Sequence, residues 1–213
     1  MRRPSRLIVA LFALALAAPA AAQTAIAQTR VAQTRVKTET VPTPKGAAAK
    51  SQKAAKAEAP PEIVRDLSRL PDKVRQMRER ILEAAKSGDP NKVVTVMQAN
   101  EVMPVFSFGG DKDPLAFWKT SYPDSEGIEA LAILIEVLES PYVLLDKGTA
   151  QEMYVWPYFY GMPLEKLTPE QKVELFRLIT GTDWKEMQEF GAYIFYRVGI
   201  GPDGVWHFFV AGD

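Results

Sequence analysis

The chain of 213 residues carries 26 Lys or Arg against 26 Asp or Glu, one His and no Cys. The missing thiols exclude disulfide stapling, thiol catalysis and Cys-ligated metals in one step. The neutral total hides an asymmetry: Gln23 to Pro60 holds seven basic residues against two acidic, and Pro61 to Asp213 holds 16 against 24. The acidic part lacks the clustered cations that phosphate neutralisation needs, so no nucleic-acid partner is expected.

Arg2, Arg3 and Arg6 precede an apolar run from Leu7 to Ala17, followed by Pro19 and the small residues Ala20 to Ala22. This is the pattern of a secretory signal peptide over residues 1–22, cleaved near Ala22, because the run is too short to cross a bilayer. No Cys follows for a lipid anchor. The expected location is the periplasm or outside the cell, with no transmembrane span after cleavage. Residues 23–60 repeat pentads of the type AQTRV and then pass into an Ala and Lys tract with Lys45, Lys50, Lys53 and Lys56. So few large apolar side chains cannot offset the entropy of ordering, which predicts a disordered basic linker. It is either a solvated spacer or a tail that touches an anionic envelope surface.

Residues 61–213 are long enough for one domain with its own core. Helical spacing of Ile63, Leu67, Leu70, Val74, Met77 and Ile81 predicts helices over 62–70 and 71–87, broken at Pro71. Asp89-Pro90 caps a short helix to about Gln98. Val102 to Phe108 alternates loosely, as a strand does. Asp111 and Asp113 follow Gly109-Gly110 and raise the question of a hard cation, but the further oxygen ligands of a calcium loop are missing. Asp113-Pro114 is read instead as the start of a helix through Trp118, with no metal and no cofactor expected. Asp124 or Ser125 caps a nearly all-apolar helix to Glu139, whose polar stripe is Glu129, Glu136 and Glu139.

Tyr142 to Leu145 and Glu152 to Phe159 are expected strands. Period two places Tyr154, Trp156, Tyr158 and then Tyr160 on one side, and Pro157, which cannot donate, marks the strand as an edge or a bulge. A row of rings with polar tips suits a sugar or a flat apolar ligand, a protein interface, or the roof of a core. Thr168 and Gln171 form a capping box for a helix through Val173, Phe176 and Ile179. Asp183 with Glu186 is taken to open the next helix, closed by Gly191. This helical pair is expected to pack on the apolar face of the final hairpin.

That hairpin spans Tyr193 to Asp213. Gly201-Pro202-Asp203-Gly204 fits a type I turn in a three-residue loop with a bulge. The register then sets Ile200 opposite Trp206, Val198 opposite Phe208 and Tyr196 opposite Val210, leaving Arg197 and His207 together on the mixed face. A four-residue loop would instead put His207 beside Val198. The fold class expected is α+β, with N-terminal helices packed on a small antiparallel sheet that ends in the C-terminal β-hairpin.

The segments YVWPYFY, LTPEQKVELFRLITGTDW and FGAYIFYRVGIGPDGVWHFFVAGD resemble the C-terminal domain of exported proteins of unknown function from Gram-negative bacteria. The resemblance implies a periplasmic place and no assigned activity. A helix ending AAKSGDP with a last strand ending DGVWHFFVAGD is similar to the cone-shaped fold of the nuclear transport factor 2 type, in which helices close one side of a curved antiparallel sheet.

The first functional expectation is a periplasmic, non-catalytic domain that binds a small molecule, an envelope glycan or an envelope protein. Its groove would be walled by Tyr154, Trp156 and Tyr158 and by Arg197 and His207. The alternatives are an envelope hydrolase of a glycan or ester, with His207 as general base and Asp111 or Glu152 nearby, and a purely structural envelope protein.

Overall fold

The computed structural model describes residues 60–212. The expected signal peptide and nearly all of the expected linker lie outside the described residues. Among these, six α-helices accompany four strands, an α+β domain as the sequence implies. No helix among them is long and apolar enough to cross a membrane.

Helices α1 (Asp72–Lys86), α2 (Pro90–Gln98), α3 (Pro114–Ser121) and α4 (Ile128–Glu139) come first. Asp89 and Asp113 cap α2 and α3 as expected, each accepting hydrogen bonds from first-turn N–H groups. The helix expected over 62–70 does not form. Val64 is instead extended and exchanges two backbone hydrogen bonds with Tyr142 at 2.8 and 3.0 Å, which leaves only a short 3-10 turn at Leu67–Arg69. Helix α4 starts later than its cap residues suggest, behind Gly127, although the Ser125 hydroxyl still accepts from the Glu129 N–H at 3.1 Å.

Strands β1 (Val143–Leu145), β2 (Met153–Trp156), β3 (Arg197–Ile200) and β4 (Trp206–Val210) form one antiparallel sheet in chain order. Strand β2 is therefore interior and pairs on both sides without a register shift, so it is neither the edge nor the bulged strand that Pro157 suggested. It ends at Trp156, the Trp156–Pro157 peptide is cis, and pairing resumes where the Tyr158 N–H donates to the Pro141 carbonyl at 2.9 Å. The proline's missing donor thus falls outside the ladder.

Both faces of the sheet are covered. Tyr154, Trp156, Val198, Ile200, Trp206 and Phe209 join residues of α1 to α4 in one core. Val143, Val155, Tyr158 and Phe159 join residues of α5 (Pro169–Leu175) and α6 (Gly181–Phe190) in a second. The split follows the pleat, since alternate strand residues point to opposite faces. The helical pair α5 and α6 therefore lies on the face opposite to the one expected; the hairpin's apolar side packs on α1 and α4. The capping box of α5 is Thr168 with Gln171, as expected, but that of α6 is Thr180 with Asp183, so Asp183 is the third helical residue and not the cap. Val173 and Phe176 are exposed, while Leu175 and Ile179 carry the burial.

The turn forms as expected: Gly201 donates to Val205 and Gly204, at φ +86°, donates to Gly201, both at 2.9 Å. Ile200 pairs with Trp206, but the next pairs are Gly199 with Phe208, Val198 with Phe209 and Arg197 with Val210. His207 is thus the extra residue of a β-bulge, and every pair beyond it is displaced by one from the expected register. Phe209, not Phe208, enters the helix-side core.

The outer edge of β4 is closed by chain that is not a strand. Val105 donates to His207 O and accepts from Phe209 N, each at 2.9 Å, and this single bridge is all that forms of the strand expected over 102–108. Next to it the Asn100 side-chain amide accepts from Trp206 N–H at 3.0 Å and donates to Trp206 O at 2.7 Å, doing for one residue what a neighbouring strand would do. Asn100→Ala removes both partners from a half-buried backbone unit. It is expected to cost about 1–3 kcal/mol in urea unfolding. Asn100→Asp, which keeps the acceptor but sets an oxygen against the Trp206 carbonyl, should do no better.

Candidate binding cleft

The residues expected to wall a groove are distributed over both sides of the sheet. Trp156 is 0 % exposed and lies in the helix-side core, its ring 5.2 Å from that of Tyr142. Tyr154 is buried beside it and shares with Arg69, Lys147 and Glu152 the wall of a hollow of about 370 Å³ along β1. Tyr158, beyond the cis peptide, is in the opposite core. Arg197 is buried, donates from Nη1 to Gly212 O at 2.6 Å, and has the rings of Tyr160 and Phe108 at 4.8 and 5.9 Å. His207 is exposed on its bulge.

The expected acid and base groups have other partners. Glu152 accepts from the Gly148 N–H at 2.6 Å, and Asp111 accepts from the Ser107 hydroxyl at 2.5 Å. Neither is hydrogen-bonded to His207. The carboxylate close to the imidazole is Asp203 in the turn: a Cβ placed on Gly201 would stand 2.7 Å from Asp203 Oδ1 and 2.9 Å from His207 Nε2. Among the described residues no group of three His, Asp or Glu is arranged to hold a metal ion.

A second cleft, of about 310 Å³, opens between the end of α4, the turn after β2 and helix α5. Leu67, Pro141, Phe159 and Leu178 supply its apolar lining, among charged and polar residues. On one wall, Glu174 of α5 accepts two hydrogen bonds from Arg65, at 2.7 and 3.0 Å, and one from the Tyr158 hydroxyl at 2.9 Å. Both guanidinium bonds come from Nη2 alone, so Arg65 holds the carboxylate through one nitrogen and the Tyr158 hydroxyl adds a second, separate anchor. On the other wall stand Glu136 and Glu139 in the last turn of α4, with Glu139 paired to Lys86 at 2.5 Å.

That last turn is held from below. Arg78 of α1 is buried and donates from Nε and Nη2 to the Leu138 carbonyl at 3.0 and 2.8 Å, a cation on the negative end of a helix. Burial pulls its pKa down, with nearby Glu139 and Glu79 opposing; an arginine keeps its charge regardless. Glu136 and Arg177 are left: both line the cleft, and neither side chain has a hydrogen-bond or ion-pair partner among the described residues. Glu136 was visible in the sequence as part of the helix stripe. Arg65, Glu174 and Arg177 were not, because a pair 109 residues apart leaves no local spacing to read.

The tyrosines give the site a pH signature. Burial is the leading cause that pushes the phenols of Tyr122, Tyr142, Tyr154, Tyr158, Tyr193 and Tyr196 above their ordinary value, and at Tyr158 the Glu174 carboxylate adds to it. A raised folded-state pKa means that the folded chain holds the proton more tightly. The associated stability is complete below about pH 10, where the unfolded phenol titrates, and is lost as pH climbs above it. Tyrosinate absorbance at 295 nm should therefore rise together with loss of far-ultraviolet ellipticity; ionisation of all seven phenols in a still-folded chain would contradict the buried placements. Comparison with protein-family models, with curated proteins and with solved structures finds no match for the chain.

Proposed function

We propose that the protein is an exported, non-catalytic binding domain of the bacterial cell envelope that holds a small zwitterionic molecule, of amino-acid or short-peptide type, between α4 and α5. One observation carries the reading: in a cleft of about 310 Å³ with a partly apolar lining, Glu136 and Arg177 offer opposite charges that no described residue neutralises. A carboxylate end would meet Arg177, an ammonium end Glu136, and a side chain the apolar part of the lining. The remaining carboxylates, Glu139 and Glu174, are already engaged by Lys86, Arg65 and Tyr158, which favours holding a ligand over moving protons. Export rests on the leader pattern of residues 1–22, and the kinship with exported envelope proteins and with the cone fold on the segments quoted above. The basic linker fits an anionic envelope surface.

Calorimetric titration with free amino acids and di- and tripeptides tests the reading. Binding should weaken about tenfold in Glu136→Gln and in Arg177→Gln, the loss of one charge-assisted contact. Equal binding of the N-acetylated, C-amidated ligand would sink it. A second reading, an ester or glycan hydrolase, is favoured by the proximity of Asp203 to His207, both within 3 Å of the position a Cβ on Gly201 would take. It requires that His207→Gln abolish any hydrolysis seen with model esters.

A further inference from the structure

We propose that Arg197 anchors a second binding site, specific for an anion carried on a flat apolar body, an aromatic carboxylate being the simplest case. The side chain is only 5 % exposed, yet among the described residues no carboxylate pairs with it. Of its five N–H donors one is engaged, from Nη1 to Gly212 O. A cation so placed has lost its water without gaining a counter-charge among the described residues, a situation that structures normally relieve with an ion pair.

What surrounds it is aromatic. The guanidinium carbon lies 4.8 Å from the ring centre of Tyr160 and 5.9 Å from that of Phe108. Both rings favour the cation through their negative faces, and neither neutralises it. Both rings are also exposed, Phe108 at 58 % and Tyr160 at 39 %. Phe108 sits against Gly212, where a Cβ would stand 3.7 Å from Cδ2, and is followed by Gly109-Gly110, the latter at φ +80°. A ligand that sets its carboxylate on the remaining guanidinium donors and its ring against the exposed parts of these two side chains satisfies the buried charge and covers apolar surface together. A bare inorganic anion does the first only, and a neutral ring the second only. The site lies apart from the α4–α5 cleft, so it stands or falls independently of the proposed function.

The test is titration of the full chain with benzoate, benzamide and inorganic phosphate, followed by the ¹⁵N resonance of the Arg197 Nε–H and by thermal shift. Benzoate should move the Arg197 signal and raise the melting temperature, while benzamide and phosphate do neither at equal concentration. Phe108→Ala removes an exposed ring without touching the core and should weaken benzoate about five- to tenfold. Glu136→Gln, in the other cleft, should leave it unchanged. Arg197→Lys, which keeps the charge but loses the planar fork, should bind benzoate about tenfold more weakly. Equal response to benzamide, or no movement of the Nε–H signal, overturns the proposal. So does benzoate binding that appears only in Asp213→Asn protein, since the anion would then be the chain's own.

Discussion

Gly199→Ala is expected to destabilise the domain by about 2–3 kcal/mol, the cost of forcing extra volume into a packed site. The bulge at His207 brings Phe208 directly opposite Gly199, and the Phe208 ring lies across the glycine. A Cβ built there would stand 2.2 Å from Cζ and 2.3 Å from Cε1, far inside contact distance. Phe208 cannot swing away without loss, because its ring packs on the second core beside α5 and α6. An aromatic ring covering a strand glycine also replaces the cross-strand packing that the glycine lacks, so the two residues act as a unit. Gly199→Ala combined with Phe208→Ala should therefore cost less than the two changes added separately, by at least about 1 kcal/mol. Urea unfolding midpoints of the four proteins measure this. Strict additivity, or a Gly199→Ala protein as stable as the parent, would mean that the ring does not sit over the glycine.

The same bulge separates what the sequence discloses from what it does not. The corner Gly201 to Gly204 is legible because its chemistry is local: proline presets one dihedral and Gly204 takes the positive φ that a side chain would resist. Caps are legible for the same reason, as Asp89, Asp113 and Thr168 show. The bulge answers to packing instead. Trp206 and Phe209 are both buried on the helix side although three positions apart, and only an extra residue between them reconciles that with a period of two. Nothing near His207 announces it. Arg197 and His207, joined by strict alternation, are therefore set differently: one buried under rings, the other exposed. Contacts across the chain are equally silent, as with Asn100 pairing to Trp206 across 106 residues and Arg65 to Glu174 across 109. At Thr180 the signal is local but shared between two residues. Thr180 and Asp183 are both good capping residues, and the reciprocal hydrogen bonds of the capping box decide between them.

Trp156→Ala should destabilise the fold by about 3–5 kcal/mol, the range for emptying a site of this size. For a domain of this length that lowers the melting temperature by about 10 °C or more. Trp156 pairs with Val198 in the middle of the sheet, touches the Tyr142 ring, and sits in the core formed with α1 and α4. Removing it leaves a hole under the strand that carries Tyr158 towards the cleft. Its indole Nε1–H has no hydrogen-bond partner among the described residues. That unpartnered donor already costs about 1–3 kcal/mol of desolvation, so Trp156→Phe, which fills most of the volume and deletes the donor, should lose little, about 1 kcal/mol or less. A surface ring that contacts ligand predicts the reverse: Ala would lower affinity while leaving the melting temperature intact, and Phe would retain much of the stacking. Calorimetric affinity of the folded fraction, measured beside far-ultraviolet melting of the same three proteins, separates the two. A Trp156→Ala protein that melts with the parent but no longer binds would return this residue from the core to the binding surface.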